Sequence, residues 1–237
     1  MTRLKNESYY DKFSAMYEQE RHKRYHRFLD ESELTAARPY VTGGKVLEVG
    51  CGTGLVLEPL SQMADQAFGI DISRGMLSKA LARGLKAAQA SATDLPFKDN
   101  TFDAVVSFKV LAHIEDIKQT MSECTRVLKP GGHLVLEFYN KNSLRHLVKV
   151  LKPAHKVAAS TTDDQVYTRY DSLQDIKNYL PTNVSIEKTV GIRCLAPTYH
   201  FFNAPVIGPV VDKVERSVQN TPIGRLGGFL IVVARKL

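Results

Sequence analysis

Between Lys45 and Tyr139 the sequence passes five times through a short apolar run set apart by helical or turn segments. That alternation restricts the chain to a parallel sheet covered by helices. The runs are KVLEVG (Lys45–Gly50), AFGID (Ala67–Asp71), LKAAQA (Leu85–Ala90), FDAVVSF (Phe102–Phe108) and HLVLEFY (His133–Tyr139). Helical stretches are expected over about Leu55–Ala64, after the capping residue Ser73 to about Gly84, and over Glu115–Leu128. In the last of these Ile117, Met121, Cys124 and Leu128 share one face, and Pro130–Gly132 stops the helix. Helical periodicity also opens the chain, from about Tyr9 to Ala37, and is expected to end ahead of Pro39.

After Tyr139 the pattern changes. Lys141–Lys156 reads as an amphipathic helix with Leu144, Leu147, Val148 and Leu151 on one face and Lys141, Arg145, Lys149, Lys152 and Lys156 beside it. Ser160–Gln165 reads as a loop, Ser172–Leu180 as a short helix, and Val184–Ile192 and Gly228–Lys236 as strands. Pro197–Gly227, rich in Pro, Gly and aromatics, reads as a covering segment. With 237 residues and 43% hydrophobic content the chain suits one core. The expected organisation is a helical lid over 1–40, a core over 41–140, covering insertions with a sixth strand over 141–227, and a last strand over 228–237.

The first apolar run breaks into glycines at alternate positions, Gly50, Gly52 and Gly54. Such a turn between a first strand and its helix lets backbone approach a ligand closely and aims free amides at it. A dinucleotide turn places its third glycine three residues after the second; the GxGxG spacing here argues against a pyrophosphate. Asp71 lies 21 residues after Gly50, at the end of the second run, where a carboxylate accepts from ribose hydroxyls. No lysine in the turn is available for nucleotide phosphates, so the pair of features favours an adenosyl ribose.

VLEVGCGTG (Val46–Gly54), GIDIS (Gly69–Ser73), DLPFKDNTFDAVVS (Asp94–Ser107), LAHIED (Leu111–Asp116) and RVLKPGGHLVL (Arg126–Leu136) follow in order. Together they resemble the successive motifs of the class I S-adenosylmethionine-dependent methyltransferases, particularly the type 11 group that includes quinone-methylating enzymes. The resemblance implies a Rossmann-like α/β fold: a seven-stranded sheet, mostly parallel with an antiparallel last strand, and helices on both faces. It implies S-adenosyl-L-methionine as cofactor, with Gly50, Gly52 and Gly54 under its methionine part and Asp71 on its ribose. Ile72 and Met76 would pack near the adenine, and Glu48 and Lys109 would border the same site. The family's acidic residue ahead of LPF aligns with Ser91, a departure that shifts adenine recognition toward packing and the Ala92 amide. Tyr9–His26 resembles the N-terminal lid of related small-molecule methyltransferases, with Tyr17 and Arg21 closing over the cofactor and Arg21 gripping its carboxylate. The plain alternative is a surface helix with solvated charge and one buried tyrosine.

Methyl transfer from a sulfonium is an in-line displacement with an excellent leaving group, so the protein's task is to align and desolvate the nucleophile. A base is needed only when that nucleophile carries a proton. His113, just past the fourth strand at the carboxyl edge of the sheet, is the candidate base. Its alternative is a residue that merely orders the loop, and Lys109 could reach cofactor, a substrate anion or only water. Tyr139, Tyr167, Tyr199 and His200, with Phe201 and Phe202 beside them, suggest an acceptor of apolar or aromatic character.

SFKV (Ser107–Val110) stands where methyltransferases of DNA amino groups carry Asn/Asp-Pro-Pro-Tyr, and no Pro-Cys offers a thiol to attack a pyrimidine. No metal-ligating pattern occurs, and Cys51, Cys124 and Cys194 are spaced like core residues. The expected activity is methylation of a small-molecule or lipid-like acceptor. Two alternatives stand. A net charge of +7 with clusters at Arg21–Arg27 and Lys141–Lys156 would suit a tRNA or rRNA methyltransferase, and the same fold could serve as a non-catalytic adenosyl-binding regulator. The basic helix either packs its apolar face on the domain or rests on an anionic membrane. With no spanning apolar stretch and a polar Met1–Tyr10, the expected location is the cytoplasm or a membrane surface facing it.

Overall fold

The computed structural model describes residues 9–11, 13–14, 17–19, 21–151, 156–158, 161–162 and 167–237. Seven strands form one sheet: β1 (Lys45–Val49), β2 (Gln66–Asp71), β3 (Ala87–Gln89), β4 (Phe102–Ser107), β5 (Leu128–Tyr139), β6 (Val184–Ile192) and β7 (Phe229–Lys236). Their order is β3-β2-β1-β4-β5-β7-β6. β1 pairs in parallel with both β2 and β4, Val46 lying opposite Ala67 and Ala104. β7 runs antiparallel between β5 and β6, so the expected Rossmann-like α/β sheet is borne out.

Helices cover both faces, which is why the central strands read as unbroken apolar runs. On one face α4 (Ile117–Val127) and α6 (Leu173–Tyr179) bury Ile117, Met121, Cys124, Val127 and Ile176 against Leu47, Val105 and Leu134. On the other, α1 (Arg24–Val41) and α2 (Leu57–Met63) bury Phe28, Leu29, Ala37, Val41 and Leu60 against Val46, Ala104, Val135 and Ile231. α1 is thus a layer of the core, and among the described residues, 9–11, 13–14, 17–19 and 21–23 lie ahead of it. The start of α3 (Arg74–Ala82) is fixed by Ser73, whose Oγ accepts from the Met76 amide at 3.1 Å. All three cysteines are buried free thiols.

Four local expectations are corrected. The opening segment is not one helix: residues 9–11 and 13–14 are helical, turns follow, and α1 begins at Arg24. α1 then runs through Pro39 to Val41, because a proline in the last turn forfeits one ladder bond while burial of Val41 holds the turn in place. The basic helix is shorter, α5 (Leu144–Leu151), and inverted. Leu144, Leu147, Val150 and Leu151 are 40–74% exposed, whereas Arg145 turns inward over the rings of Tyr139 and Phe229. Three aromatic faces offer a guanidinium cation–π contact that leucines cannot match. Lys152 lies outside the described residues. Lys156–Ala158 belongs to a two-stranded hairpin with Thr161–Thr162, inside the expected loop, and the loop's Ser160 and Asp163–Gln165 lie outside the described residues. Two further helices, α7 (His200–Asn203) and α8 (Gly208–Val218), lie in the covering segment.

Candidate functional site

The sheet reverses its strand order beside β1, and at such a switch point the loops after neighbouring strands leave a crevice. Here the crevice lies between the glycine turn after β1 and the Lys109–Val110 bend after β4. Gly50 (φ +79°) has no room for a side chain, since a Cβ there would stand 2.3 Å from Val110 Cγ2. Gly52 (φ +53°) is the opposite case: a Cβ would meet nothing within 4 Å. The turn therefore packs on protein at its first glycine and faces open space at its second. Asp71 ties it to β2, accepting from the Gly52 amide at 2.8 Å and the Ser73 amide at 2.9 Å. Each carboxylate oxygen keeps a further lone pair for a ligand hydroxyl. Burial raises the Asp71 pKa against these two hydrogen bonds.

Asp11, Ser14 and Glu18 tie the described part of the opening segment to α3 and the residue that follows it. Asp11 Oδ1 accepts from Ser73 Oγ at 2.5 Å and from the Gly75 amide at 2.9 Å, so its carboxylate sits on the helix N-terminus. The Ser73 hydrogen bond, then that of Gly75, lowers its pKa. Lys79 Nζ donates to the Ser14 carbonyl at 2.6 Å. Arg83 pairs with Glu18 at 2.9 Å and donates to the Thr53 carbonyl within the glycine turn at 3.1 Å. Tyr17 lies under the Arg21 guanidinium, 5.4 Å from its ring centre, and Arg21 pairs with Asp30 at 2.5 Å.

Beneath the crevice is a buried charge network. Lys109 Nζ pairs with Glu33 at 2.8 Å and Asp30 at 2.9 Å, and its backbone amide donates to Glu137 at 3.2 Å. Desolvation opposes the Lys109 charge, but Glu33 and Asp30 outweigh it and raise its pKa. Burial, then the charge of Glu33, pushes Glu48 and Glu137 well above the usual carboxylate range. Arg21 Nε, Glu48 Oε2 and Glu137 Oε2 are buried without a hydrogen-bond partner. Unmet donors and acceptors around the Lys109 network fit a zwitterionic amino-acid head, which brings both an ammonium and a carboxylate. With the open face at Gly52 and the lone pairs on Asp71, the residues present fit S-adenosylmethionine.

On the adenine side Met76 and Ala92 are buried, 3% and 8% exposed, and the Ile72 carbonyl accepts from Gln89. Ser91 Oγ is engaged by Thr93 Oγ1 at 2.7 Å, which leaves packing and backbone to line this end.

His113 occupies a 3-10 turn, Leu111–His113, directly after β4. Its Nδ1 lies 2.8 Å from the Tyr167 carbonyl. A carbonyl only accepts, so Nδ1 carries the proton and Nε2 is the basic nitrogen. Nε2 faces the Tyr139 hydroxyl at 3.5 Å, and Tyr10 stands edge-on to the imidazole, 6.4 Å between ring centres. Desolvation, exceeding the effect of the Tyr167 carbonyl, lowers the His113 pKa. Desolvation also lifts Tyr139 to about 12. The result is a neutral imidazole in an aromatic wall.

The structure brings together His113, Tyr139 and the Tyr167 backbone. Tyr199 and His200 instead line an open hollow with Lys23, Arg24 and Asn203. Phe202 is fully buried against Phe28, ring centres 4.6 Å apart, while Tyr199 and Phe201 are 45% and 42% exposed. Sequence reasoning missed Tyr10, Asp11, Glu33, Glu137 and Arg145. Glu137 left a signal, being a lone acid inside the apolar run LVLEFY. Asp11 left none, since its partners lie about 60 residues away.

Asp71→Ala is expected to weaken cofactor affinity at least about tenfold. Hydrogen bonds to a charged group contribute about 1.5–3 kcal/mol, and about 1.4 kcal/mol is a decade. Titration calorimetry with S-adenosylhomocysteine checks this, and an unchanged dissociation constant would remove Asp71 from the ribose.

Comparison with known proteins agrees with this geometry. Residues 47–136 match the methyltransferase domain family. An uncharacterized protein of Methanocaldococcus jannaschii is 29% identical over 90% of this chain and 95% of its own length. The demethylmenaquinone methyltransferase of Corynebacterium urealyticum is 32% identical, over 53% of this chain and 58% of its own length. The chain thus spans somewhat over half of that enzyme. A Thermotoga maritima crystal structure, described as a SAM-dependent methyltransferase and possible histamine N-methyltransferase, superposes with a TM-score of 0.70 at 22% identity, covering 96% of this chain and 98% of that one. That likeness establishes the shared fold. With the ordered motifs, the GxGxG turn and the sheet order in agreement, residues 47–136 are a methyltransferase domain of the class I S-adenosylmethionine-dependent type.

Proposed function

We propose that this protein methylates a small molecule or lipid-like acceptor at an atom that carries a proton, which His113 Nε2 removes. S-adenosylmethionine supplies the methyl group on a sulfonium, so leaving-group chemistry needs no help from the protein. The observation that carries the reading is the fixed tautomer of His113. The Tyr167 carbonyl holds the proton on Nδ1 at 2.8 Å and turns Nε2 toward the Tyr139 hydroxyl. Lowering of the imidazole pKa by burial keeps that nitrogen unprotonated at neutral pH. Tyr10, Tyr139 and Tyr170 supply apolar faces around it, and ring-centre distances of 5.5 Å (His113 to Tyr139) and 5.8 Å (Tyr139 to Tyr170) join them into one wall. Such a wall desolvates the nucleophile and aligns a flat or chain-like acceptor. Residues 9–22, pinned to α3 by Asp11 and Glu18, close the cofactor side against water. No helix among the described residues is long and apolar enough to cross a membrane. The exposed leucines of α5 make a bilayer surface one route by which an amphiphilic acceptor would arrive.

The test is incubation of the full chain with S-adenosylmethionine and separate metabolite, lipid and tRNA fractions, with mass spectrometry of each. Methylated product in the metabolite or lipid fraction is the expected result. Product in the tRNA fraction alone would replace this reading with RNA methylation. Cofactor binding with no product anywhere would favour an adenosyl-binding regulator.

A further inference from the structure

Arg145 is the one basic side chain of α5 that the fold turns inward, and the methyl-transfer reading does not use it. Its guanidinium carbon lies 4.4 Å from the ring centre of Tyr139, 4.3 Å from that of Phe229 and 5.9 Å from that of Tyr170. Phe229 and Tyr139 are adjacent rings on paired strands, β7 and β5. Packing holds the arginine stem in place from behind, for a Cβ on Gly228 would stand 3.0 Å from Arg145 Cδ. Its Nη1 is buried without a hydrogen-bond acceptor, and Arg145 forms no ion pair among the described residues. Every other arginine at this edge is paired: Arg21 with Asp30, Arg169 with Asp171, and Arg193 with the Ala196 and Pro197 carbonyls.

Ring faces offset part of the cost of burying a guanidinium, but they leave the two N–H donors of its buried Nη1 unmet. Buried charge without a counter-charge is the costliest state for such a group. A planar fork stacked on aromatic rings is also the geometry that receives a carboxylate in bidentate fashion. The place matters as much as the charge. Tyr139 carries Arg145 on its face and points its hydroxyl at His113 Nε2. An anion on Arg145 therefore sits within about one aromatic ring of the base.

We infer that Arg145 is the specificity residue of the acceptor pocket, and that the molecule methylated here carries a carboxylate which docks on its guanidinium while the reacting atom lies at His113. This deepens the methyl-transfer reading of the same cleft and rests on it. Lysine cannot fully substitute, because a point charge on a flexible stem neither stacks nor presents a fork.

The test uses the full chain saturated with S-adenosylhomocysteine, and titration calorimetry with 4-hydroxybenzoate, benzoate and octanoate, each against its own amide. At least one carboxylate is expected to bind tenfold or more tightly than its amide. Arg145→Gln should reduce that preference below threefold with the S-adenosylhomocysteine affinity and melting temperature held, and Arg145→Lys should retain part of it. Equal binding of acids and amides, no saturable carboxylate binding, or a preference that survives Arg145→Gln would each overturn the inference. The wild-type comparison alone decides if the glutamine variant does not fold. Failure of the underlying reading looks different: the protein would bind carboxylates yet consume no S-adenosylmethionine with any fraction of metabolite, lipid or tRNA.

Discussion

Replacing His113 with alanine is expected to lower kcat by roughly 10²- to 10⁴-fold, the usual contribution of a positioned general base, while leaving S-adenosylhomocysteine affinity within about twofold. The imidazole faces Tyr139 and Tyr10, not the glycine turn, so under the proposed reading its loss is felt in the transition state rather than in cofactor binding. The sign of the pH dependence follows from its environment. Burial depresses the His113 pKa below its ordinary 6.5, so the active neutral form persists above that value and the rate falls as pH drops through the depressed pKa. The same depression makes the folded state lose stability over that acidic range, because the unfolded chain takes up the proton first. A kcat/KM profile of the wild type should show this acid limb, and the alanine variant should lack it. Normal turnover by the variant across the whole pH range would end the role of His113 as base.

Alanine at Gly50 and at Gly52 should give opposite failures. At Gly50 the added methyl meets Val110 Cγ2 at 2.3 Å on a backbone with φ +79°. A left-handed non-glycine residue costs about 1–2 kcal/mol and overpacking about 1–3 kcal/mol, so a stability loss of roughly 3 kcal/mol is expected in denaturant melts. Trimming Val110 to alanine in the same chain should restore part of it, which a double-mutant cycle measures. At Gly52 the methyl enters open space, so only the backbone cost of about 1 kcal/mol falls on folding. We place the cofactor's methionine part in that open space, so its affinity should drop about ten- to hundredfold. Full cofactor affinity in folded Gly52→Ala would mean that the ligand lies elsewhere, and an undisturbed Gly50→Ala would mean that Val110 is free to move aside.

The positions in both experiments were legible in the sequence, because His113, Gly50 and Gly52 all sit beside strands read from their apolar runs; the Val110 contact and the burial of His113 were not. Boundaries were harder. Pro39 argued for an end to α1 at about Ala37, yet the core contact of Val41 holds the helix for four more residues. In α5 the hydrophobic periodicity was real, but periodicity says which residues share a face and not which face turns inward. There Tyr139, Phe229 and Tyr170, from three separate segments, drew in Arg145 and left the leucines outside.

Local rules thus determined the parallel core from Lys45 to Tyr139, the GxGxG turn and the placing of Asp71 and His113 at one sheet edge. Strand periodicity, glycine spacing and helix caps are properties of neighbours in the chain, and they survive without knowledge of the rest. The tertiary structure alone decided which charges are buried and what they meet. Asp11 reaches the N-terminus of α3 across about 60 residues, Lys109 reaches Glu33 across 76, and Arg145 stacks on Tyr139 and Phe229 with no ion pair among the described residues. The free energy of a charge depends on solvent exclusion and on partners brought from other elements. Those exist only once the sheet has closed and its two layers of helices are in place.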